Sequence, residues 1–170
     1  LIEAIANANS KPGHLVFASS TAECSPGHLG AAESAPHDPD NEYGSGKKDA
    51  RLYYEEHFAG TVHTLILPRL VAPRDPHRRE QAYLEAASTG RVLIPGSGDQ
   101  RQIIASVSGV ADVIVHLCET PQSLRPGMLN VGPPNDVAVE AAVQALIAGA
   151  GIRAEMGRHP DPRWRGPHGG

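Results

Sequence analysis

At 170 residues the chain is long enough for one domain with a hydrophobic core, and its formal net charge is −4, with a pI near 6.1. No stretch concentrates enough lysine and arginine to indicate a nucleic-acid surface. No apolar segment approaches the ~20 residues that cross a bilayer. We therefore expect neither nucleic acid nor a membrane as a partner.

The first residues, 1–9, have the apolar spacing of the last turns of an amphipathic helix. Because the chain opens without a methionine and within such a helix, we expect a fragment of a longer protein or an incomplete reading frame. Residues 14–20 form a short apolar run without strict alternation, which predicts a strand buried on both faces. It ends in the hydroxyl pair Ser19 and Ser20, and loop-forming residues follow from 21 to 42.

A helix is predicted next, over residues 43–58, with Asn41 as its N-terminal cap. Gly44 and Gly46 disfavour this helix, each by about 1 kcal/mol relative to alanine. Residues 61–67 form a second apolar run, which predicts another buried strand. A strand, a loop, a helix and a strand in that order favour a parallel crossover, so we predict an α/β sheet.

The second half continues to alternate helices with short strands and ends in a polar tail. Helices are predicted over 78–88, over 107–119 and through Val139 to about Gly149, with strands over 91–94 and 129–132. Asp136 is the expected N-terminal cap of the last helix. The tail after Met156 contains three prolines and has little to bury, so we expect it to be mobile.

The two cysteines, Cys24 and Cys118, are far apart in the sequence and match no metal-ligand spacing. The nine histidines form no His-x-x-x-His pair either, so we expect no metal site. Free thiols are typical of a reducing compartment, which favours a cytoplasmic protein.

Tyr43 and Lys47 lie four residues apart in the predicted helix, so they share one helical face. An ammonium group at this distance favours the charged form of a phenol, and the pair is therefore suited to acid/base chemistry. The same spacing is common by chance, and a solvated loop is the alternative for this segment. For Ser19 and Ser20 the alternative is a simple turn, and for Arg101 a solvated surface charge.

Five short motifs follow one another along the chain. A strand ends in two hydroxyl residues, a Tyr-x-x-x-Lys helix comes next, and a second strand leads to an arginine and a proline. A Gly-x-Gly segment and an Asn-Val-Gly strand complete the series. The motifs are Phe17-Ala-Ser-Ser20, Tyr43 to Lys47, Leu67 to Pro73, Pro95 to Arg101 and Leu129-Asn-Val-Gly132. In this order they resemble the extended short-chain dehydrogenase/reductases, also called the NAD-dependent epimerase/dehydratase family, over roughly residues 1–151.

The resemblance implies an α/β fold, with a partial Rossmann-type parallel sheet made of the later strands only and a small C-terminal α/β substrate subdomain. Residues 1–75 would be the C-terminal half of the NAD(P)-binding domain, and residues 76–151 the substrate-binding subdomain. Residues 152–170 are expected to form a flexible tail. The implied partner is a small-molecule substrate such as a nucleotide sugar, and a homodimer is compatible with the family.

The resemblance also implies how three side chains divide the chemistry. Tyr43 would be the catalytic acid/base, exchanging a proton with the substrate hydroxyl as hydride passes to or from the nicotinamide. Lys47 would hold the nicotinamide ribose, and Ser20 would hydrogen-bond to the reacting oxygen. General acid/base groups of this kind must lie within hydrogen-bond reach of the reacting atoms.

Binding roles are implied for a larger set of positions. Those beside the cofactor, NAD or NADP, are Ser19, Tyr43, Lys47 and Pro68. Those on the substrate side are Arg101 and Asn130.

The sequence departs from the family pattern at the cofactor site. It contains no Gly-x-x-Gly-x-x-Gly turn, although in this family that turn and the helix after it bind the cofactor pyrophosphate. The segment Gly96 to Gly98 lacks a third glycine and a helix directly after it, so we expect a tight turn there. Arg51 stands where a glutamate often follows the lysine. We therefore expect the first strands of the sheet to be absent, and the chain to be inactive by itself.

Two functions remain from these observations. The first is an NAD(P)-dependent oxidoreductase or isomerase of the epimerase/dehydratase type, which acts on a nucleotide sugar or a related hydroxylated substrate. The second is a nonenzymatic remnant of the Rossmann-like fold that serves as a binding or interaction module, with an exposed sheet edge open to a partner.

Overall fold

The computed structural model describes residues 12–25 and 32–161. The helical turns predicted for residues 1–9, and residues 162–170 of the predicted tail, lie outside the described residues. The helices are α1 (Glu42–His57), α2 (Arg79–Ser88), α3 (Val107–Glu119) and α4 (Val139–Gly149). The strands are β1 (His14–Ser20), β2 (Thr61–Leu67), β3 (Arg69–Val71), β4 (Arg91–Pro95), β5 (Arg101–Gln102), β6 (Ile104–Ser106), β7 (Gly127–Asn130), β8 (Val137–Ala138) and β9 (Glu155–His159).

The chain divides into two compact units, and neither of them is continuous in sequence. The first consists of Leu1–Leu70 and Ala105–Pro134, and the second of Val71–Ile104 and Asn135–Gly170. This differs from the expected divisions after residues 75 and 151, because α3 and β7 return to the first unit. A strand can pair in a sheet after a long excursion of the chain, and local sequence patterns do not report such pairing.

The first unit contains a three-stranded parallel sheet in the order β1-β2-β7. Its central strand is β2, whose last five residues are buried, as the sequence predicted. Leu65 is opposite Ala18 of β1 on one side and Leu129 of β7 on the other. The buried core around this strand consists of Leu65, Leu67, Ala105, Val110 and Leu117.

The prediction that β1 is buried on both faces was wrong. Only Ser19 of this strand is buried, and Ala18 is exposed. Among the described strands, β1 pairs with β2 alone and so forms one edge of the sheet. An apolar run indicates that a strand is part of a sheet, but it does not show how many neighbours the strand has.

Helix α1 begins within one residue of its predicted start, and the predicted cap is confirmed. The Asn41 side chain accepts a hydrogen bond from the Gly44 N–H at 2.8 Å. Gly44 is buried, and a Cβ at this position would lie 1.9 Å from the Ala22 carbonyl oxygen. The helix therefore contains this glycine because its backbone lies directly against the turn that follows β1.

The second unit is built from a parallel pair, β4 and β9, and an antiparallel pair, β5 and β8. Helices α2 and α4 supply the rest of its core. The buried cluster consists of Tyr83, Ala87, Val92, Ile94, Val143 and Ile147. Strand β9 occupies part of the segment that was expected to be a mobile tail. That expectation was wrong as far as His159, because Met156 packs against the core and the backbone of β9 pairs with β4.

The prediction that Asp136 caps the N-terminus of α4 was also wrong. Ala138 takes the cap position without a side-chain hydrogen bond, and Val139 N–H donates to the Gln100 carbonyl. Glu140 N–H donates to the Gly98 carbonyl in the same way. These backbone acceptors satisfy the first amides of the helix, so no side-chain cap is needed.

The helices of the described part include none that is long and apolar enough to cross a membrane.

The contact at Gly44 predicts opposite effects for two glycines of the same helix. Gly44→Ala should lower the free energy of unfolding by about 1–3 kcal/mol, because the added methyl group forces α1 away from Ala22. Gly46 has nothing within 4 Å of its Cβ position, so Gly46→Ala should raise the free energy of unfolding by up to about 1 kcal/mol through helix propensity alone. Urea denaturation of both variants tests this. Equal stabilisation by the two alanines would contradict the close contact.

Asp75 predicts a pH dependence in the second unit. The Arg79 side chain donates to its carboxylate at 3.0 Å and is the main reason that the pKa of Asp75 falls from 3.8 to about 2. A lowered pKa in the folded state stabilises the protein above about pH 4, and this contribution is lost as the pH falls towards about 2. After allowance for solvent screening, Asp75→Asn should therefore cost about 1 kcal/mol at neutral pH and clearly less near pH 2, where the carboxyl is about half protonated.

Urea denaturation at a series of pH values measures this difference between wild type and Asp75→Asn. Arg79→Gln, which removes the donor, should show the same loss. A stability difference that persists unchanged at pH 2 would show that Asp75 acts through some other contact.

Candidate active site

The candidate acid/base pair lies at the N-terminal end of α1. Tyr43 is 61% exposed, and the Lys47 ammonium group lies 5.8 Å from the centre of its ring. Lys47 Nζ also donates a hydrogen bond of 2.9 Å to the Ala18 carbonyl and lies 5.4 Å from the centre of the Phe17 ring. The structure thus brings the two predicted residues together on one helical face, beside the end of β1. Since an ammonium group has three donors, Lys47 can serve further acceptors.

Ser20 ends β1 and begins a short 3₁₀ turn, Thr21–Glu23. Its hydroxyl oxygen accepts a hydrogen bond from the Ala22 N–H at 3.2 Å, which leaves its own hydrogen for another acceptor. The carbonyl of Ala22 is the group that lies against Gly44, the residue next to Tyr43. The turn that begins after Ser20 therefore packs directly against the start of the helix that carries Tyr43.

Ser19 has a different environment from Ser20. It is 3% exposed, and its hydroxyl donates a hydrogen bond of 2.6 Å to Glu23. Adjacent residues in a strand point to opposite faces, so Ser19 and Ser20 cannot both present their side chains to one site. This alternation was visible in the sequence and could have separated the two serines.

Glu23 is a functional candidate that the sequence analysis missed. It is completely buried, and it accepts a hydrogen bond of 2.8 Å from Arg51 Nε. His37 Nδ1 lies 2.7 Å from the same carboxylate oxygen, and Arg51 reaches Glu55 at 3.0 Å. The only sequence signal for this cluster was Arg51 itself, a charge in the middle of a helix, four residues after Lys47.

The carboxyl ends of β2 and β7 lie at the same edge of the sheet as the end of β1. Pro68 follows the last residue of β2, and Asn130 is the last residue of β7. The Asn130 N–H donates a hydrogen bond of 2.9 Å to Glu33, a second residue that the sequence analysis missed. This bond holds the pKa of the Glu33 carboxyl below its usual 4.5, because the amide favours the charged form.

Arg101 belongs to the second unit, in β5. Its Nε donates to Asp136 at 3.1 Å, and its Nη2 donates to the same carboxylate. The pair joins β5 to β8, and the guanidinium lowers the pKa of Asp136. The Arg101 guanidinium is therefore already bound to a carboxylate.

The residues present fit one end of a nicotinamide dinucleotide. Lys47 keeps donors beside the exposed Tyr43, which is an arrangement that can hold ribose hydroxyls. The sequence has no Gly-x-x-Gly-x-x-Gly turn for the pyrophosphate. In the part of the chain that the structure describes, no group of three or more His, Cys, Asp or Glu side chains could hold a metal ion.

A parallel sheet with a Tyr-x-x-x-Lys helix, and with a serine at the end of the neighbouring strand, is typical of Rossmann-type dehydrogenases and epimerases. The model of the NAD dependent epimerase/dehydratase family matches residues 1–132. The chain belongs to this family.

Solved structures of several enzymes have the same fold. The UDP-glucuronic acid 4-epimerase of Bacillus cereus, in complex with UDP-glucuronic acid and NAD, is 16% identical, with a TM-score of 0.79 over 98% of this chain and 54% of that one. The UDP-N-acetylglucosamine 4-epimerase of Methanobrevibacter ruminantium M1 is 18% identical, with a TM-score of 0.76 over 90% of this chain and 51% of that one. TunA, an NAD-dependent NDP-hexosamine 5,6-dehydratase of tunicamycin biosynthesis, is 18% identical, with a TM-score of 0.71 over 92% of this chain and 51% of that one.

The chain spans about half the length of these solved structures. A search of curated protein sequences gave no match.

The contact between Glu33 and Asn130 predicts an acid titration at the edge of the sheet. As the pH falls, Glu33 should take up a proton with a midpoint below 4.5, because its charged form accepts the Asn130 amide. The Asn130 amide signal in NMR spectra should shift with the same midpoint. In Glu33→Gln this titration should disappear. An Asn130 amide that titrates unchanged in that variant would show that Glu33 is not its acceptor.

Proposed function

We propose that this chain carries the acid/base site of an NAD(P)-dependent epimerase/dehydratase-type enzyme, an oxidoreductase or isomerase that acts on a nucleotide sugar or a related hydroxylated substrate. The observation that carries this proposal is the position of Lys47, held by the Ala18 carbonyl beside the exposed ring of Tyr43. A phenol and an ammonium group in this arrangement suit proton exchange with a substrate hydroxyl.

In the proposed mechanism two of the three side chains act on one reacting oxygen. Tyr43 accepts the proton of the substrate hydroxyl and later returns it. Lys47, whose ammonium group lies 5.8 Å from the centre of the Tyr43 ring, would hold the ribose hydroxyls of the nicotinamide beside it. Ser20 donates its remaining hydroxyl hydrogen to the same substrate oxygen. Lys47 and Tyr43 would hold NAD or NADP, which would supply the hydride acceptor.

The division of binding roles follows from the same contacts. We assign the ribose of the nicotinamide to Lys47 and Tyr43, with Pro68 beside it at the end of β2. We assign Ser19 to the support of Glu23 and not to cofactor binding, because its buried hydroxyl donates a hydrogen bond to the Glu23 carboxylate. Asn130 and Arg101 are proposed substrate contacts. Arg101 would have to release Asp136 before it could bind a substrate.

The solved structures of the same fold support the substrate class. Two of them are described as UDP-sugar epimerases and a third as an NDP-hexosamine dehydratase. Their common substrates are sugars attached to a nucleoside diphosphate. We extend this class to the present chain, and with it a homodimer and a cytoplasmic location.

A second candidate is a nonenzymatic binding module. It is favoured by the position of β1, which pairs on one side only among the described strands. In this case the free side of β1 would pair with another chain.

Calorimetric titration of NAD and NADP into the chain tests whether it binds a cofactor without a glycine-rich turn. We expect no micromolar binding, because backbone donors for the pyrophosphate are missing from this sequence. Micromolar binding of either cofactor would contradict that requirement, and would show that the 170 residues capture the cofactor without the turn.

Two tyrosines of α1 provide the test of the chemistry. In a form of the protein that carries a glycine-rich turn, Tyr43→Phe should lower turnover of a UDP-sugar about 10²–10⁴-fold, because the acid/base group is lost. Tyr53 lies on the same helix and stacks on His57 at 4.3 Å, so Tyr53→Phe is the matched control and should retain turnover. Full turnover of Tyr43→Phe would refute the assigned mechanism.

A further inference from the structure

Glu23 is a charged group buried completely beside the candidate active site, and the proposed chemistry does not use it. Its two carboxylate oxygens have separate partners: Ser19 donates to one, and Arg51 donates to the other. His37 lies 2.7 Å from the oxygen that Arg51 contacts. A buried carboxylate is costly unless it is paired in this way. Such a group therefore defines the positions of the segments that supply its partners.

These partners come from three segments that meet at the site. Ser19 belongs to β1, His37 to the loop that precedes α1, and Arg51 to α1 itself. Glu23 is the last residue of the 3₁₀ turn after Ser20. The carboxylate consequently ties the turn to the strand before it and to the helix that packs against it.

The contact with Arg51 also fixes the rotation of α1. Tyr43, Lys47 and Arg51 follow one another at intervals of four residues, so they form one ridge along the helix. The turn contacts this helix twice, at Gly44 through Ala22 and at Arg51 through Glu23. The two points on the helix are about 10 Å apart along its axis. Two separated contacts prevent the helix from rotating about either one.

We propose that Glu23, paired with Arg51, is the positioning residue that sets Tyr43 and Lys47 opposite Ser20. The inference rests on the proposed function for its chemical meaning, and it adds a residue that touches neither substrate nor cofactor. Glu23 acts through the turn and through the rotation of α1.

A buried ion pair is by itself weak evidence of a stabilising role. Apolar side chains of similar volume often stabilise a fold as well as a buried ion pair does. Hydrogen bonds to a carboxylate are directional, so two of them restrict the orientation of the groups that donate them. The effect of removing Glu23 should therefore be local to the turn and the first turn of α1.

Glu55 provides a matched control, because it is the second carboxylate bound to Arg51 and this pair lies within α1 itself, at a spacing of four residues. Amide hydrogen exchange, followed by NMR in the full chain, compares Glu23→Gln with Glu55→Gln. In Glu23→Gln the amides of Ala22, Cys24 and Gly44 should exchange at least ~10-fold faster, while Leu65 in the central strand keeps its rate. In Glu55→Gln all four amides should stay within about twofold of wild type.

Ser19→Ala is the second variant, for the case in which Glu23→Gln does not fold. It removes one donor and retains the ion pair with Arg51. The same local pattern should appear with a smaller acceleration, about threefold, at Ala22 and Cys24. Equal effects of Glu23→Gln and Glu55→Gln would overturn the inference, and so would an acceleration at Leu65 as large as that at Ala22.

A kinetic measurement links the geometry to the chemistry. In a form of the protein that turns over a UDP-sugar, Glu23→Gln should lower kcat at least ~10-fold and leave KM within twofold, because binding groups are retained while the acid/base groups are misaligned. An unchanged kcat would overturn the inference. If Tyr43→Phe retains full turnover while the local exchange pattern holds, the proposed mechanism fails and the positioning by Glu23 stands.

Discussion

The approach of α1 to the turn after β1 is the constraint on which the candidate site depends. At Gly44 the helix backbone comes so close to the Ala22 carbonyl that no side chain fits between them. This contact sets the distance between Ser20, which precedes the turn, and Tyr43, which precedes the glycine. The helix propensity lost at Gly44, about 1 kcal/mol, is therefore the cost of bringing a strand end and a helix start together.

The parallel sheet gives this contact a rigid support. Strand β2 is buried along most of its length and is paired on both sides, so the carboxyl ends of β1, β2 and β7 are held at one edge. In parallel α/β sheets that edge is the usual place for ligands. The candidate residues from these strands are accordingly close to one another without being close in sequence.

Much of this could be predicted from the sequence, and the exceptions have physical reasons. The helix with Tyr43 and Lys47, its Asn41 cap and the limits of β1 and β2 followed from local patterns. The cap of α4 and the strand β9 did not, because both depend on backbone partners that are distant in sequence. Glu23 was missed for a similar reason, since a buried carboxylate is recognised by partners that only the fold supplies.

The position of the proposed acid/base group in the sequence has a consequence for how such a chain can change. Ser20 is the last residue of β1, and Tyr43 and Lys47 lie in α1, the next long helix. The segment from Ser20 through α1 also contains the cap of the helix, its close contact with the turn and the buried ion pair. The geometry of the three side chains is therefore encoded in one continuous stretch of the gene. Recombination that places this stretch beside a different sheet, or that breaks the gene outside it, keeps the three side chains together.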